Sequence, residues 1–432
     1  MTYTAAISYL YGLQKHGIKL GLDTMTALVG RLGMPQSRFP SLHIAGTNGK
    51  GSTAAMTAAI FQAGGYRVGL YTSPHLVEFV ERICVSGRTI PESEIARLTQ
   101  LVKGVSEPDL SPTFFEFTTA MAMQYFAESQ VDVAVLEVGL GGRFDATNVV
   151  TPVACAITTI ALDHQQYLGS TLESVAFEKA GIIKQNVPVV LGRVAGNVRD
   201  TIERIADARG AAVYCLGRDF DVQGDAPACF RYSGFGVRYA DLSCPLLGAH
   251  QLDNAACALS LVESVRGNRL PVGEQAIREG LRHVQWEGRL EVAAREPLTV
   301  LDGAHNPAAA ESLGHYIRTF RLANPGSRIV LILAMMRDKD HRGFIEPLKD
   351  VVDEVVATQA DLKRSATVEE LMPVLRHAWP QARANANVQG ALREAGQLAR
   401  PQDLICVTGS LMLIGEVKAL LRGCGLSPLR GW

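Results

Sequence analysis

The 432-residue chain carries 47% hydrophobic and 20% charged residues and a formal net charge of −1. Such a composition can bury sizeable cores, excludes a disordered chain and offers no basic footprint for nucleic acid. The length points to roughly two or three domains.

No apolar run approaches the ~18 residues a membrane helix needs, and no basic-then-apolar leader opens the chain, so no membrane association is expected. The eight cysteines (84, 155, 215, 229, 244, 257, 406, 424) are scattered without a C-x-x-C pair. They read as small buried hydrophobes in a reduced cytoplasm rather than disulfide or zinc partners.

Residues 4–15 and 23–33 space their apolar side chains helically around a loop at Lys19-Leu20-Gly21-Leu22. A short apolar run (Leu42, Ile44, Ala45) then predicts a buried strand. It breaks at Gly46, and Ala54 to Gln62 predicts a helix. Strand, glycine loop and helix is the arrangement in which backbone N–H groups and a helix N-terminus converge on an anion. In Gly46-Thr47-Asn48-Gly49-Lys50-Gly51-Ser52-Thr53, Lys50 adds a point charge for outer phosphates, and Ser52 or Thr53 a hydroxyl for Mg²⁺. The strict G-x-x-x-x-G-K-[ST] spacing is not met, because Ile44 replaces the first glycine and Gly51 separates Lys50 from Ser52. The stretch is therefore a variant phosphate loop, and it predicts an ATP site.

A strand over 66–71 ends in Thr72-Ser73-Pro74-His75, where open α/β sheets bind ligands; His75 is either a ligand or a surface histidine. A strand with a Gly87 turn (82–88) and a helix over 91–105 follow. Thr113-Phe114-Phe115-Glu116-Phe117 opens a helix to about Glu128, its aromatics suited to a core and Glu116 needing a partner. The run 131–138 is the most buried-looking strand. It ends in Glu137 before a Gly-rich loop, the layout that holds Mg²⁺ in nucleotide enzymes. Another strand, 153–160, leads to His164, a second candidate ligand. Helix 172–182 carries Lys179, which on pattern alone reads as an exposed helical lysine. Strand, helix and strand over 188–216, an antiparallel ribbon over 219–247, and helices 248–265 (with Asn254) and 274–283 complete this half.

The pattern restarts near Trp286. Strands at about 289–294 and 298–302 lead to Asp302-Gly303-Ala304-His305-Asn306-Pro307 and a helix to Phe320. Strands at 328–333, 351–357 and 403–408 alternate with helices at 341–349, 367–378, 387–399 and 411–421. These βα units predict a second parallel sheet. The expected organisation is α/β throughout: an N-terminal P-loop-type parallel-sheet ATPase domain (1–285) and a smaller C-terminal Rossmann-like α/β domain (286–432).

Nine stretches in order, GTNGKGS (46–52), TSPHL (72–76), TFFEF (113–117), LEVGLGGRFDATN (136–148), ALDH (161–164), EKAGI (178–182), LGAHQLDNA (247–255), EGRLE (287–291) and DGAHNP (302–307), resemble the folylpolyglutamate synthase and dihydrofolate synthase family, relatives of the Mur ligases. The resemblance implies an ATP-dependent amide ligase that phosphorylates a pterin carboxylate and lets L-glutamate attack the acyl phosphate. It assigns Asn48, Gly49, Lys50, Gly51 and Ser52 to the phosphates, Ser73 and Glu137 to one Mg²⁺, and His164 to a second. A monovalent cation is also allowed. Lys179 becomes a carbamylated lysine beside the metal, overturning its bland reading. Asn254 matches the adenine contact, Arg289 and Asp302 match ATP contacts from the second domain, and His305 faces the same cleft and glutamate. Thr113, Phe114, Phe115, Glu116, Phe144, Asp145 and Ala146 resemble the dihydropteroate pocket of bifunctional members, with Leu20 and Gly21 nearby. Ala146, where the monofunctional bacterial pattern has serine, favours bifunctionality.

The substrates implied are dihydropteroate, reduced folates, L-glutamate and ATP, on a cytoplasmic monomer. The competing readings are a monofunctional folylpolyglutamate synthase, a Mur-type peptidoglycan ligase and a non-ligase nucleotide switch. Only 45 residues precede Gly46, too few for the extra nucleotide-sugar domain of a Mur ligase. A switch has no need of a second α/β domain bearing DGAHNP.

Overall fold

A computed structural model describes residues 1–17, 19–267 and 270–426; residues 427–432, assigned above to the second domain, lie outside the described residues. Among the described residues the chain separates into two compact units, 1–245 with 251–285, and 246–250 with 286–426.

The first unit is built on eight strands: β1 (Ser41–Ala45), β2 (Val68–Tyr71), β3 (Ile83–Val85), β4 (Arg88–Thr89), β5 (Val133–Glu137), β6 (Ala154–Ile157), β7 (Val189–Leu191) and β8 (Val213–Cys215). They lie in the order β4-β3-β2-β5-β1-β6-β7-β8, parallel except for the β2–β3–β4 edge. Every residue of β1, β5 and β6 is buried, which is why these strands read as mainly apolar stretches without a solvent-facing alternation. Ile44 pairs with Glu137, Ala45 with Ile157, and Tyr71 with Leu136. Four neighbouring strands therefore end level, and the segments that follow them share one edge of the sheet. β1 continues to β2 on one side, while β5 continues to β6 across β1 on the other. That reversal is the switch point at which open α/β sheets bind ligands.

Helix Lys50–Ala63 begins earlier than Ala54, so Lys50 to Thr53 form its first turn rather than the loop. The left-handed Gly49 (φ 85°) turns the chain directly into the helix. Helices Tyr3–Leu13, Asp23–Arg31, Glu92–Ser106 and Phe114–Glu128 cover one core, where Leu10, Met25, Leu28, Phe79, Phe117 and Phe126 meet. A second core gathers Ile157, Ile182, Ile183, Val189, Leu191 and Ile202. The predicted antiparallel ribbon is β9 (Asp221–Ala226), β10 (Cys229–Ser233) and β11 (Arg238–Leu242).

The second unit holds β12 (Glu291–Arg295), β13 (Leu298–Leu301), β14 (Ile329–Leu333), β15 (Glu354–Ala357), β16 (Arg383–Ala384) and β17 (Leu404–Thr408), in the order β12-β13-β17-β14-β15-β16. The sheet is mixed, not wholly parallel as the βα repeat implied, because β12 and β13 pair antiparallel. Only Glu296-Pro297 joins them, far too short for a parallel crossover. Helix His341–Ile345 stops before the expected residue 349: Glu346 is still helical, but Pro347 has no N–H with which to continue the ladder. Two cysteines, Cys229 and Cys424, are exposed, against expectation; no disulfide occurs among the described residues. No described helix is long and apolar enough to cross a membrane.

Candidate active site

The site in the first unit starts from Gly46, whose φ of 148° and close approach to Thr158 (a Cβ would sit 1.9 Å from Oγ1) admit no side chain. The loop it opens is pinned to the segment after β6. The Thr158 hydroxyl donates to the Asn48 carbonyl (2.6 Å), Asn48 N–H to Thr159 Oγ1 (3.0 Å), and Thr47 N–H to the Thr159 carbonyl (2.8 Å). Thr158 and Thr159 are loop anchors that the sequence analysis did not single out; two hydroxyls directly after a buried strand were the available signal. Gly49 caps the following helix without a side-chain hydrogen bond. The first-turn N–H groups thus keep the positive end of the helix dipole directed at whatever lies beyond Gly49. A Cβ on Gly49 would stand 2.2 Å from Asn254 Oδ1, so the proposed adenine contact lies against the loop. Gln251 holds Asn254 (Nδ2 to Oε1, 2.9 Å) and reaches Ser52 Oγ at 3.4 Å. Thr53 Oγ1 is buried with no hydrogen-bond partner among the described residues.

Two lysines converge on one carbonyl. Lys179 Nζ donates to Gly46 O at 2.8 Å, and Lys50 Nζ to Gly46 O and Thr47 O, both at 3.1 Å. Lys179 is only 4% exposed, so the exposed-lysine reading of its helix is overturned. Burial, reinforced by the Lys50 charge, pulls its amine from 10.5 down to about 7, while Asp163 and Asp145 pull the other way.

Ser73 and Glu137 are brought together: the Ser73 N–H donates to Glu137 Oε2 at 3.0 Å, and Glu137 is buried at the end of β5. Their donors are hard oxygens, which suit Mg²⁺. His164 stands in the left-handed region at the start of the short helix Gln165–Leu168, Nε2 3.9 Å from Asp163. Among the described residues no group of three or more His, Cys, Asp or Glu is arranged to hold a metal alone. A divalent ion at Ser73 and Glu137 fits only with oxygens from phosphate and water completing its shell, as Mg²⁺ commonly takes.

His75 is buried, not a surface histidine; its Nδ1 accepts from Arg82 Nε at 2.8 Å. Arg82 is a second residue missed in the sequence, where it reads as the start of a strand. It is among the largest fully buried side chains, stands 5.2 Å over the Phe114 ring, and burial lowers it from 12.5 to about 10.

The residues matched to a pterin pocket divide. Thr113 and Glu116 form the capping box of helix Phe114–Glu128: Thr113 N–H donates to Glu116 Oε2 (2.7 Å) and Glu116 N–H to Thr113 Oγ1 (3.2 Å). That is the partner Glu116 required. Phe114 packs edge-on to Phe79, whereas the half-buried Phe115 lies against Tyr71 and Gly139. Phe144 is half-buried under the Arg143 guanidinium (4.2 Å), which Glu178 of helix Leu172–Ala180 holds. Ala146 is buried. Asp145 uses both carboxylate oxygens within its own loop, accepting from Thr147 N–H (3.0 Å) and hydroxyl at Oδ1 and from Leu140 N–H (2.8 Å) at Oδ2. Burial raises its carboxyl against those hydrogen bonds. Leu20 is 62% exposed and Gly21 half-buried; Lys19 Nζ ties this loop to Ser111 O at 2.7 Å, just ahead of Thr113.

In the second unit, Asp302 accepts from Leu290 N–H (2.9 Å) and Ala304 N–H (3.0 Å), clamping the turn that carries Arg289. Arg289 Nη1 reaches Gly288 O, and His305 Nδ1 lies 2.8 Å from Gly303 O.

Comparison with known proteins identifies the family. The Mur ligase middle domain family matches residues 44–262, and the Mur ligase glutamate ligase domain family residues 288–411. The chain is 34% identical to the dihydrofolate synthase/folylpolyglutamate synthase of Bacillus subtilis, over 97% of this chain and 99% of that one. It is 36% identical to a probable bifunctional folylpolyglutamate synthase/dihydropteroate synthase of Haloferax volcanii, but spans only 50% of that longer protein. Among solved structures, E. coli FolC in complex with DHPP and ADP superposes with a TM-score of 0.89 at 33% identity, over 98% of both chains. The Yersinia pestis bifunctional folylpolyglutamate synthase/dihydrofolate synthase with AMPPNP and Mn ion gives 0.88 at 33%, again over 98% of both. The chain therefore belongs to the dihydrofolate synthase/folylpolyglutamate synthase family of Mur-type ligases, enzymes that form carbon–nitrogen bonds.

Proposed function

We propose that this chain joins L-glutamate to dihydropteroate, forming dihydrofolate, and to reduced folates, forming polyglutamates, with ATP converted to ADP and phosphate. The observation that carries the reading is the level edge of β2, β5, β1 and β6. There a glycine phosphate loop, the Ser73–Glu137 pair and the buried Lys179 share one rim.

A carboxylate is a poor electrophile until phosphorylated. Its oxygen attacks the γ-phosphorus, ADP leaves, and an acyl phosphate forms. The glutamate nitrogen then attacks the acyl carbon, the C–O bond to phosphate breaks, and the nitrogen sheds its protons to solvent or a base. Phosphoryl transfer needs chiefly positioning and charge neutralisation. Asn48, Gly49, Lys50, Gly51 and Ser52 hold the phosphates, Asn254 the adenine, and Arg289 and Asp302 further parts of the nucleotide. His305 is assigned to glutamate. Ser73 and Glu137 would hold one Mg²⁺ and His164 a second; a monovalent cation belongs to the same reading. A bound divalent ion supplies charge neutralisation at the phosphate oxygens.

Lys179 is assigned as a carbamate. Its neutral amine attacks CO₂, an N–C bond forms, a C=O electron pair moves to oxygen, and one proton leaves to solvent. The depressed amine of Lys179 supports this, since a lysine at its reference value near 10.4 is almost wholly protonated at neutral pH. Phe115, Phe144 and Ala146 remain the surfaces assigned to the pterin, with Thr113, Phe114, Glu116 and Asp145 shaping them and Leu20 and Gly21 at the rim. The chain acts as a cytoplasmic monomer in this reading.

The test is phosphate release with ATP, Mg²⁺ and L-glutamate fixed while dihydropteroate, tetrahydrofolate or a UDP-muropeptide is added. Release with both pterins and not the muropeptide is expected. Release with tetrahydrofolate alone makes the enzyme monofunctional; release with no acceptor makes it a hydrolase or switch.

A further inference from the structure

His43 lies in the middle of β1 with no exposed surface, flanked in register by Leu136 and Cys155. A histidine on the central strand of a parallel sheet is a polar group where packing alone favours an aliphatic one. Its Nε2 is 2.8 Å from Thr147 Oγ1, and its Nδ1 has no hydrogen-bond partner among the described residues.

The donor count fixes the direction of the chain of bonds. Thr147 has one hydroxyl proton, and Oδ1 of Asp145, which also accepts the Thr147 N–H, takes it. Thr147 Oγ1 must therefore accept from His43, which places the ring proton on Nε2. The opposite tautomer would bury an N–H at Nδ1 with nothing to receive it. Burial, with Lys184 as the neighbouring charge, lowers the imidazole from 6.5 to about 3, so the ring stays neutral and keeps a single proton. Asp145 in turn receives Leu140 N–H at Oδ2, tying the start of the Gly-rich loop to its end.

We propose that His43 and Thr147 form a positioning relay, His43 to Thr147 to Asp145, that holds the 139–147 loop in the shape the pterin substrate requires. This rests on the assignment of residues 144–146 to the pterin. The relay approaches the loop from the interior of the sheet, and the phosphate loop lies beyond the end of the strand that carries His43. Losing the relay therefore loosens the pterin side first. Neither residue touches substrate; both act through Asp145.

The test pairs a spectroscopic reading with kinetics on the full chain. In ¹⁵N-histidine NMR, His43 should show one neutral tautomer protonated at Nε2, unchanged from about pH 6 to about pH 9. A proton on Nδ1, or titration in that range, overturns the relay. His43→Val and Thr147→Val should each raise the KM for dihydropteroate about tenfold, with the KM for ATP within about twofold. His43→Gln, whose amide nitrogen reaches towards the Nε2 position, and Thr147→Ser, which restores the hydroxyl, should recover most of that loss. Equal rises in both KM values without recovery reduce the pair to packing and overturn the proposal. An Nε2 proton with an unchanged dihydropteroate KM in His43→Val and in Asp145→Ala overturns the pterin assignment, and the proposed role falls with it.

Discussion

The phosphate-loop edge of the first unit and the Arg289 turn of the second treat buried charge in opposite ways. At Gly46 two amines crowd one carbonyl, and Lys179 lies too deep for water to relieve it. Around Arg289, opposite charges meet. Lys418 bridges Glu287 and Glu291, Arg422 adds to Glu287, and the carboxylate oxygens of Asp302 each receive a backbone N–H. The second arrangement is electrostatically settled and serves as a frame. The first gathers two amines on one carbonyl, a crowding of positive charge suited to receiving the phosphates of ATP.

The strongest way to break this comparison is to remove the anomalous groups. Lys179→Ala should lower ligation about a thousandfold and regain part of it with small carboxylic acids; Glu137→Gln should cost about a hundredfold or more. Both are read as kcat for phosphate release, beside a melting curve that moves little for Glu137→Gln. Lys179→Met, which replaces a desolvated amine with an apolar chain of similar length, should raise the Tm of the ligand-free protein by about 2–5 °C while leaving it inactive. A fall in Tm would mean that the amine stabilises the fold.

The pH dependence sharpens the same point. The folded-state value of Lys179 is depressed to about 7 from 10.5, so between those limits the unfolded chain binds the extra proton. Wild-type stability should then rise with pH across that window, narrowing its gap to Lys179→Met. At fixed dissolved CO₂, activation on preincubation should be several-fold greater at about pH 8 than at about pH 6, because the neutral amine prevails only above its depressed value. Activation that falls with rising pH would contradict the assignment.

The smallest effect is expected in the second unit. Glu287 is 45% exposed and Glu291 26%, so solvent screens the bridge, and Lys418→Met should cost only about 1 kcal/mol, lowering the Tm by about 1–3 °C. Its kcat should stay within about twofold. A collapse of activity there would show that the frame is as finely balanced as the site.

Much of this was legible before any coordinates. Apolar residues marked β1, β5 and β6 because strands covered on both faces need no polar side, and they led to Glu137 at the end of β5 and to His164 in the segment after β6. What stayed hidden depends on tertiary placement. The depth of Lys179 is invisible in a short helix that also carries the exposed Glu173 and the Arg143-bound Glu178. Arg82 reads as an ordinary polar residue until Phe114 closes over it. Asp145 and Glu116 were matched to a ligand, yet much of what their carboxylates do is hold loop and helix-cap N–H groups, a role that short-range sequence suggests only for Thr113 and Glu116 through their capping-box spacing. The two-residue strand β16 has too few residues to carry a period.

The most direct measurement of the central claim follows oxygen. Dihydropteroate labelled with ¹⁸O in both carboxylate positions is incubated with enzyme, ATP, Mg²⁺ and L-glutamate, and the released phosphate is analysed by mass. Ligation through an acyl phosphate transfers one label into each phosphate and leaves the other in the new amide. Amide product accompanied by unlabelled phosphate would contradict the account.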